Sequence, residues 1–131
     1  MIVLDTHAWV WWVSGVEPIS RTALDLINAA INQKAIYISS ISVWEVAQLV
    51  ARGRLRLTMD VYDWIAKSES MPFAHFIPVD NAIALKSVQL PGPLHSDPAD
   101  RIIIATALAL GFPLITRDEK IATYSHLKTV W

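Results

Sequence analysis

Short apolar runs of strand length alternate along this chain with segments of helical period, and that alternation constrains the fold more than any other feature. Ile2-Val3-Leu4 is too brief for a helix and stops at Asp5-Thr6, so it reads as a buried strand feeding a helix from Thr6 to about Val13. Ala35 to Ser39 is a second strand, Phe76 to Val79 a third with Pro78 marking it as an edge, Leu114 to Thr116 a fourth, and Thr129 to Trp131 a terminal fifth. Between them Ala23, Leu26, Ile27, Ala30 and Ile31 recur at helical spacing after a Ser20 cap. Ser42 and Glu45 match a capping box for a helix running to Arg52 and closed by Gly53. Asp60 to Ala66, the segment capped by Asp80, and Ala99 to Leu110 complete the helices. The pattern predicts an α/β fold with a parallel sheet of four to five strands flanked by helices.

With 131 residues the chain fits one domain, residues 1–131, large enough to bury a core. Its apolar runs are interrupted by Asp5, His7, Ser14 and Glu17, which argues against a membrane span, and Met1 to Asp5 lacks the basic start of a secretory leader. The absence of cysteine removes disulfides and thiolate metal sites and is compatible with the cytoplasm. A net charge of −1 argues against bulk coating by basic residues.

Against that background the acids stand out by position. Asp97-Pro98-Ala99-Asp100 opens the most apolar helix, and proline and acids in a first turn are ordinary helix-start chemistry. Asp5 and Asp118 follow strands, and Glu45 lies a helical turn after one. In an open parallel sheet ligands bind beyond the carboxyl ends of the strands, so these acids point to one shared site. Converging carboxylates raise one another's pKa unless a cation neutralises them, and no lysine neighbours Asp5, Glu45 or Asp100 in sequence. An all-oxygen donor set favours Mg²⁺ or Mn²⁺, ions that serve phosphodiester hydrolysis.

The segments Leu4-Asp5-Thr6-His7-Ala8-Trp9, Ser39 to Glu45, Asp97-Pro98-Ala99-Asp100-Arg101 with Ile104 to Ala107, and Thr116-Arg117-Asp118 resemble, in order and spacing, the PIN-domain ribonucleases and more narrowly the VapC toxins of bacterial toxin–antitoxin modules. The resemblance implies a sheet in the order 3-2-1-4-5, Mg²⁺- or Mn²⁺-dependent endonucleolytic cleavage of RNA, a homodimer, and inhibition by a VapB-type antitoxin. It implies Asp5, Glu45, Asp100 and Asp118 as catalytic and metal-binding residues, with Thr116 as the polar residue beside them. On this expectation Asp5 and Asp100 hold the ion, Glu45 and Asp118 reach it directly or through water, and Asp97 acts from outside or through water. The products expected carry a 5′-phosphate and a 3′-hydroxyl.

Other residues divide by surroundings. Trp9 and Trp12 share one face of the first helix as core candidates, whereas Trp11, Trp44 and Trp64 are candidates for an antitoxin groove or dimer seam. Arg101 and Arg117 neighbour the acids and are the preferred phosphate or acid partners, and His7 and His95 are structural or substrate-adjacent. A phosphate-receiver domain needs an acidic pair after strand one, and a haloacid-dehalogenase-type phosphatase needs an aspartate where His7 stands; neither pattern is met. The rival reading is a non-catalytic PIN-like interaction domain whose acids are caps.

Overall fold

The computed structural model describes residues 1–131. Its strands are β1 (Ile2–Leu4), β2 (Ile36–Ser39), β3 (Ala74–Ile77), β4 (Leu114–Ile115) and β5 (Thr129–Val130), all parallel, in the order β3-β2-β1-β4-β5. The helices are α1 (Thr6–Ser14), α2 (Arg21–Asn32), α3 (Ser40–Ala51), α4 (Val61–Glu69), α5 (Asn81–Val88), α6 (Pro98–Leu110) and α7 (Glu119–Ala122). This is the α/β architecture and strand order expected. No helix is long and apolar enough to cross a membrane.

Central β1 explains why so short a strand is wholly apolar. It pairs on both sides, Val3 facing Tyr37 of β2 and Leu114 of β4. Strand periodicity then sends its residues to two cores: Ile2 and Leu4 join Trp9, Ile27, Ile36 and Ile38, while Val3 joins Ile103, Ile104, Leu114 and Ile121. Truncating Leu4 to alanine at this fully buried position would cost about 2–5 kcal/mol.

Every helix begins on a side-chain cap, Asp5, Ser20, Ser39, Asp60, Asp80, Asp97 and Asp118 in turn. Here the structure corrects one expectation. Helix α3 starts two residues before Ser42, and its cap is Ser39, the last residue of β2, whose hydroxyl accepts from the Ile41 N–H. Ser42 and Glu45 therefore form no capping box; both lie inside the helix and are free for contacts elsewhere. Strand β3 ends before Pro78, and it is an edge because only β2 pairs with it. The short helix α7 is an addition to the elements expected. Trp64 is another correction: it is 3% exposed, its ring centroid 4.7 Å from that of Trp9, so it packs in the core and forms no interface.

Candidate active site

Because the strands are parallel, the segments leaving their carboxyl ends gather at one edge of the sheet. Asp5 directly follows β1, Asp118 stands at the head of α7 just beyond β4, and Glu45 lies in the second turn of α3 after β2. Asp97 and Asp100 come from the start of α6. These five acids line one cleft of about 300 Å³ together with Thr6, His7, His95 and Lys120. Thr116, the other expected residue, is buried outside the lining, where its hydroxyl accepts from the Asp118 N–H at 3.1 Å.

The capping role and the cleft position belong to the same side chains. Asp5 accepts the Ala8 N–H at 2.8 Å through Oδ1, Asp97 accepts the Asp100 N–H at 2.9 Å through Oδ1, and Asp118 accepts the Lys120 N–H at 2.8 Å through Oδ1. One oxygen of each carboxylate is thereby anchored to a helix start, which fixes the orientation of the other. Asp100 and Glu45 are anchored differently. Asp100 Oδ2 lies 2.7 Å from His95 Nε2, and Glu45 accepts the hydroxyl proton of Thr6. The Ser42 hydroxyl sits 2.9 Å from the same Thr6 oxygen, so Thr6 ties α1 to α3 beneath the cleft.

Burial dominates the electrostatics. Asp5 is only 6% exposed, and desolvation pushes its carboxyl above the usual aspartate range, against the opposing hydrogen bonds of Thr116 and Ala8 and the nearby His7. Glu45 is raised first by burial, opposed by its bond from Thr6, and raised further by the charges of Asp100 and Asp97. Asp100 is raised by burial, opposed by His95, and raised by Asp97 and Asp118. Three carboxylates thus sit where a negative charge is disfavoured, and a cation in the cleft would relieve them.

Several residues have roles that local sequence does not reveal. Thr6 is a hub between partners 36 and 39 positions away, His95 restrains Asp100, and Lys120 lines the cleft although it neighbours none of Asp5, Glu45 or Asp100 in sequence. Only the proximity of Lys120 to Asp118 hinted at its place. Arg101 corrects an expectation in the other direction. Its guanidinium donates to the main-chain carbonyls of Ser87, His95 and Val88, so it fastens α6 to the end of α5 and the following loop. Arg117 stays at the site, its Cζ 4.2 Å from the Trp11 ring centroid.

The donor set suits a hard divalent cation, since carboxylate oxygens are its preferred ligands and Mg²⁺ retains several waters rather than requiring a full protein cage. The carboxylates and imidazoles stand around the cleft without any three closing to coordinating distance.

The PIN domain family model matches residues 2–127. The chain is also 30% identical over 132 residues, 99% of its own length and 98% of the relative's, to ribonuclease VapC22 of Mycobacterium tuberculosis. The chain belongs to the VapC group of PIN-domain proteins. Solved structures repeat the PIN fold. VapBC2 from Rickettsia felis bound to a promoter DNA fragment superposes with a TM-score of 0.72 at 17% identity, covering 99% of this chain and 98% of that one. FitAcB from Neisseria gonorrhoeae gives 0.69 at 22% identity with 100% and 97% covered, and a toxin–antitoxin complex from Klebsiella pneumoniae gives 0.65 at 21% with the same coverage.

Proposed function

We propose that this PIN-domain chain is a divalent-metal-dependent endoribonuclease toxin held in check by a cognate VapB-type antitoxin. Five acids on one cleft at the carboxyl end of the sheet carry the reading. Membership of the VapC group supports the ribonuclease activity, because the relative from Mycobacterium tuberculosis is a named ribonuclease, and the complex from Klebsiella pneumoniae supports an antitoxin partner. Residues 1–131 act as one unit, as a homodimer, in the cytoplasm where RNA is met.

Asp5 and Asp100 would hold Mg²⁺ or Mn²⁺, with Glu45 and Asp118 reaching it directly or through water. When bound, the ion would supply neutralisation of the acidic walls and the Lewis-acid chemistry of phosphodiester hydrolysis. The chain supplies orientation: helix starts anchor Asp5 and Asp118, His95 restrains Asp100, and Thr6 holds Glu45. Lys120 and Arg117 bring positive charge to an entrance that would otherwise repel a polyanion. Asp97 stays a cap on α6 that faces the cleft and acts through water.

The test is cleavage of total RNA by antitoxin-free protein, with Mg²⁺ and then with EDTA, alongside calorimetric titration of Mn²⁺ into the wild type and Asp5→Asn. The expected result is EDTA-sensitive cleavage and a metal site that Asp5→Asn weakens. Absence of both overturns the reading and leaves the non-catalytic interaction domain.

A further inference from the structure

The acidic cleft continues on one side into a shallow recess of about 460 Å³ walled by Pro93, Leu94, His95, Lys120, Thr123 and Tyr124. His95 and Lys120 line both hollows, so Lys120 stands on the boundary between them. The two hollows differ in charge. Five carboxylates line the cleft, and none lines the recess.

The walls of the recess are set by the fold. The Tyr124 hydroxyl donates to the Pro91 carbonyl at 2.5 Å, which ties the loop before α6 to the segment after α7. Gly92 in that loop has a φ of 73°, and a Cβ there would lie 2.9 Å from His126 Nε2, so the two segments are in close contact. Arg101 fastens the same loop through the His95 carbonyl.

Lys120 has a fixed root and a free end. Its N–H donates to Asp118 Oδ1 at 2.8 Å, so its main chain is tied to a carboxylate of the cleft. Its side chain is exposed, and it takes no part in the three ion pairs of the molecule, which join Arg21 to Asp25, His95 to Asp100 and Arg117 to Glu17. A lysine that stands beside five acids without pairing any of them is free to meet an anion from solvent. Its ammonium is a point charge on a flexible stem, suited to a phosphate and indifferent to the base that the phosphate carries. A strand with one phosphate at the acids presents the next at the edge of the cleft, where the carboxylates end and Lys120 stands.

We propose that Lys120 binds the phosphate adjoining the scissile one as the RNA strand passes from the cleft into this recess, and that it does so whatever the bases. This rests on the ribonuclease reading. The recess has the volume of a small-molecule site, room enough for the nucleoside attached to that phosphate.

The test reads binding by fluorescence anisotropy of short labelled oligoribonucleotides of differing sequence, with Ca²⁺ in place of Mg²⁺ so that the strands stay whole; Mg²⁺ on the same oligonucleotides maps the cut. Lys120→Ala is expected to make the slope of log Kd against log salt shallower by about 0.7, the loss of one phosphate contact on a single strand, and equally so for every sequence. Lys120→Arg keeps the charge and is expected to keep the slope. Lys34→Asn removes one charge at the amino end of β2, away from the cleft, at a left-handed position that asparagine tolerates, and is expected to leave the slope unchanged. To place the contact, one linkage at a time is replaced by an uncharged methylphosphonate with 2′-O-methyl ribose beside it. At the linkage next to the cut, wild type and Lys120→Ala are expected to bind alike. An unchanged slope in Lys120→Ala, an equal change in Lys34→Asn or a loss confined to one sequence overturns the proposal, as does a methylphosphonate effect at no linkage or at one remote from the cut. If RNA binds with a Lys120-dependent slope but none is cut with Mg²⁺, the phosphate contact stands and the ribonuclease reading falls. RNA cut by an enzyme whose binding ignores Lys120 overturns the contact alone.

Discussion

The starts of α1 and α6 solve the same local problem with the same residue and end with different chemistry. Both are capped by an aspartate whose Oδ1 accepts the N–H three residues on. At α1 the cap follows a central strand, so Asp5 is sunk to 6% exposure and its carboxyl is raised by burial. At α6 the cap follows an exposed loop, Asp97 stays on the surface, and the deeper position passes to Asp100, half-buried in the first turn of the helix and restrained by His95. Capping chemistry therefore says where an aspartate sits along the chain, and the neighbouring strand decides how deep it sits. Depth is what separates a carboxylate whose negative charge is disfavoured from one whose charge stays in water.

The largest effect that tests this contrast is catalytic. Asparagine caps a helix about as well as aspartate, so Asp5→Asn, Asp100→Asn and Asp97→Asn should all fold. Cleavage of a defined RNA is expected to drop by on the order of 10²–10³ or more in the first two, and by only about tenfold in Asp97→Asn. Equal losses at Asp5 and Asp97 would erase the distinction. Next comes Thr6→Val, which removes the hydroxyl that holds Glu45 and should weaken Mn²⁺ binding by roughly 10–100-fold in calorimetry, with a loss of about 1–3 kcal/mol in denaturant unfolding because Ser42 and Glu45 lose their buried partner.

Stability against pH gives the third test. Asp5, Glu45 and Asp100 all have folded-state pKa values above their unfolded ones, so the native state binds the extra protons. That stabilisation is fully present below the unfolded values near 3.8 and 4.5 and is lost as pH rises through the raised folded values. Melting curves in EDTA should accordingly fall as pH rises above the unfolded values near 3.8 and 4.5. Mg²⁺ at neutral pH should restore the melting temperature, and Asp5→Asn, which removes a buried carboxylate, should flatten the fall more than Asp97→Asn, which removes only a charge beside Glu45 and Asp100. The smallest effect is Asp97→Ala, in which loss of the cap costs about 1 kcal/mol in denaturant unfolding.

Much of this architecture is written locally. Ile2-Val3-Leu4 is legible as a doubly buried strand because three consecutive apolar residues end at Asp5, and Gly111 with Pro113 marks the end of α6. The acids that line the cleft are legible as well, since Asp5, Asp97, Asp100 and Asp118 stand at a strand end or helix start and Glu45 lies a turn inside the helix that follows β2. What escapes is the long-range part. Ser42 and Glu45 are three apart, a spacing that a capping box shares with any two residues on one face of a helix, and only the arrival of Thr6 from α1 shows which applies. Arg101 was legible as an acid's neighbour, but helix geometry turns its side chain toward the carbonyls of α5. Trp64 carries nothing in its local sequence that announces Trp9 as its partner, which is why its burial is visible only in three dimensions.

The double duty of Asp5, one oxygen on a helix start and the other left for the cleft, bears on how such a protein would be silenced over generations. A one-base codon change turns aspartate into asparagine. Because asparagine keeps the cap, the product of that change would be a folded protein with its surfaces intact and, on the proposed assignment of Asp5 to the metal, one that engages its partners without acting on RNA. On that assignment, a single-base change would separate the protein's partner-binding surfaces from its chemistry.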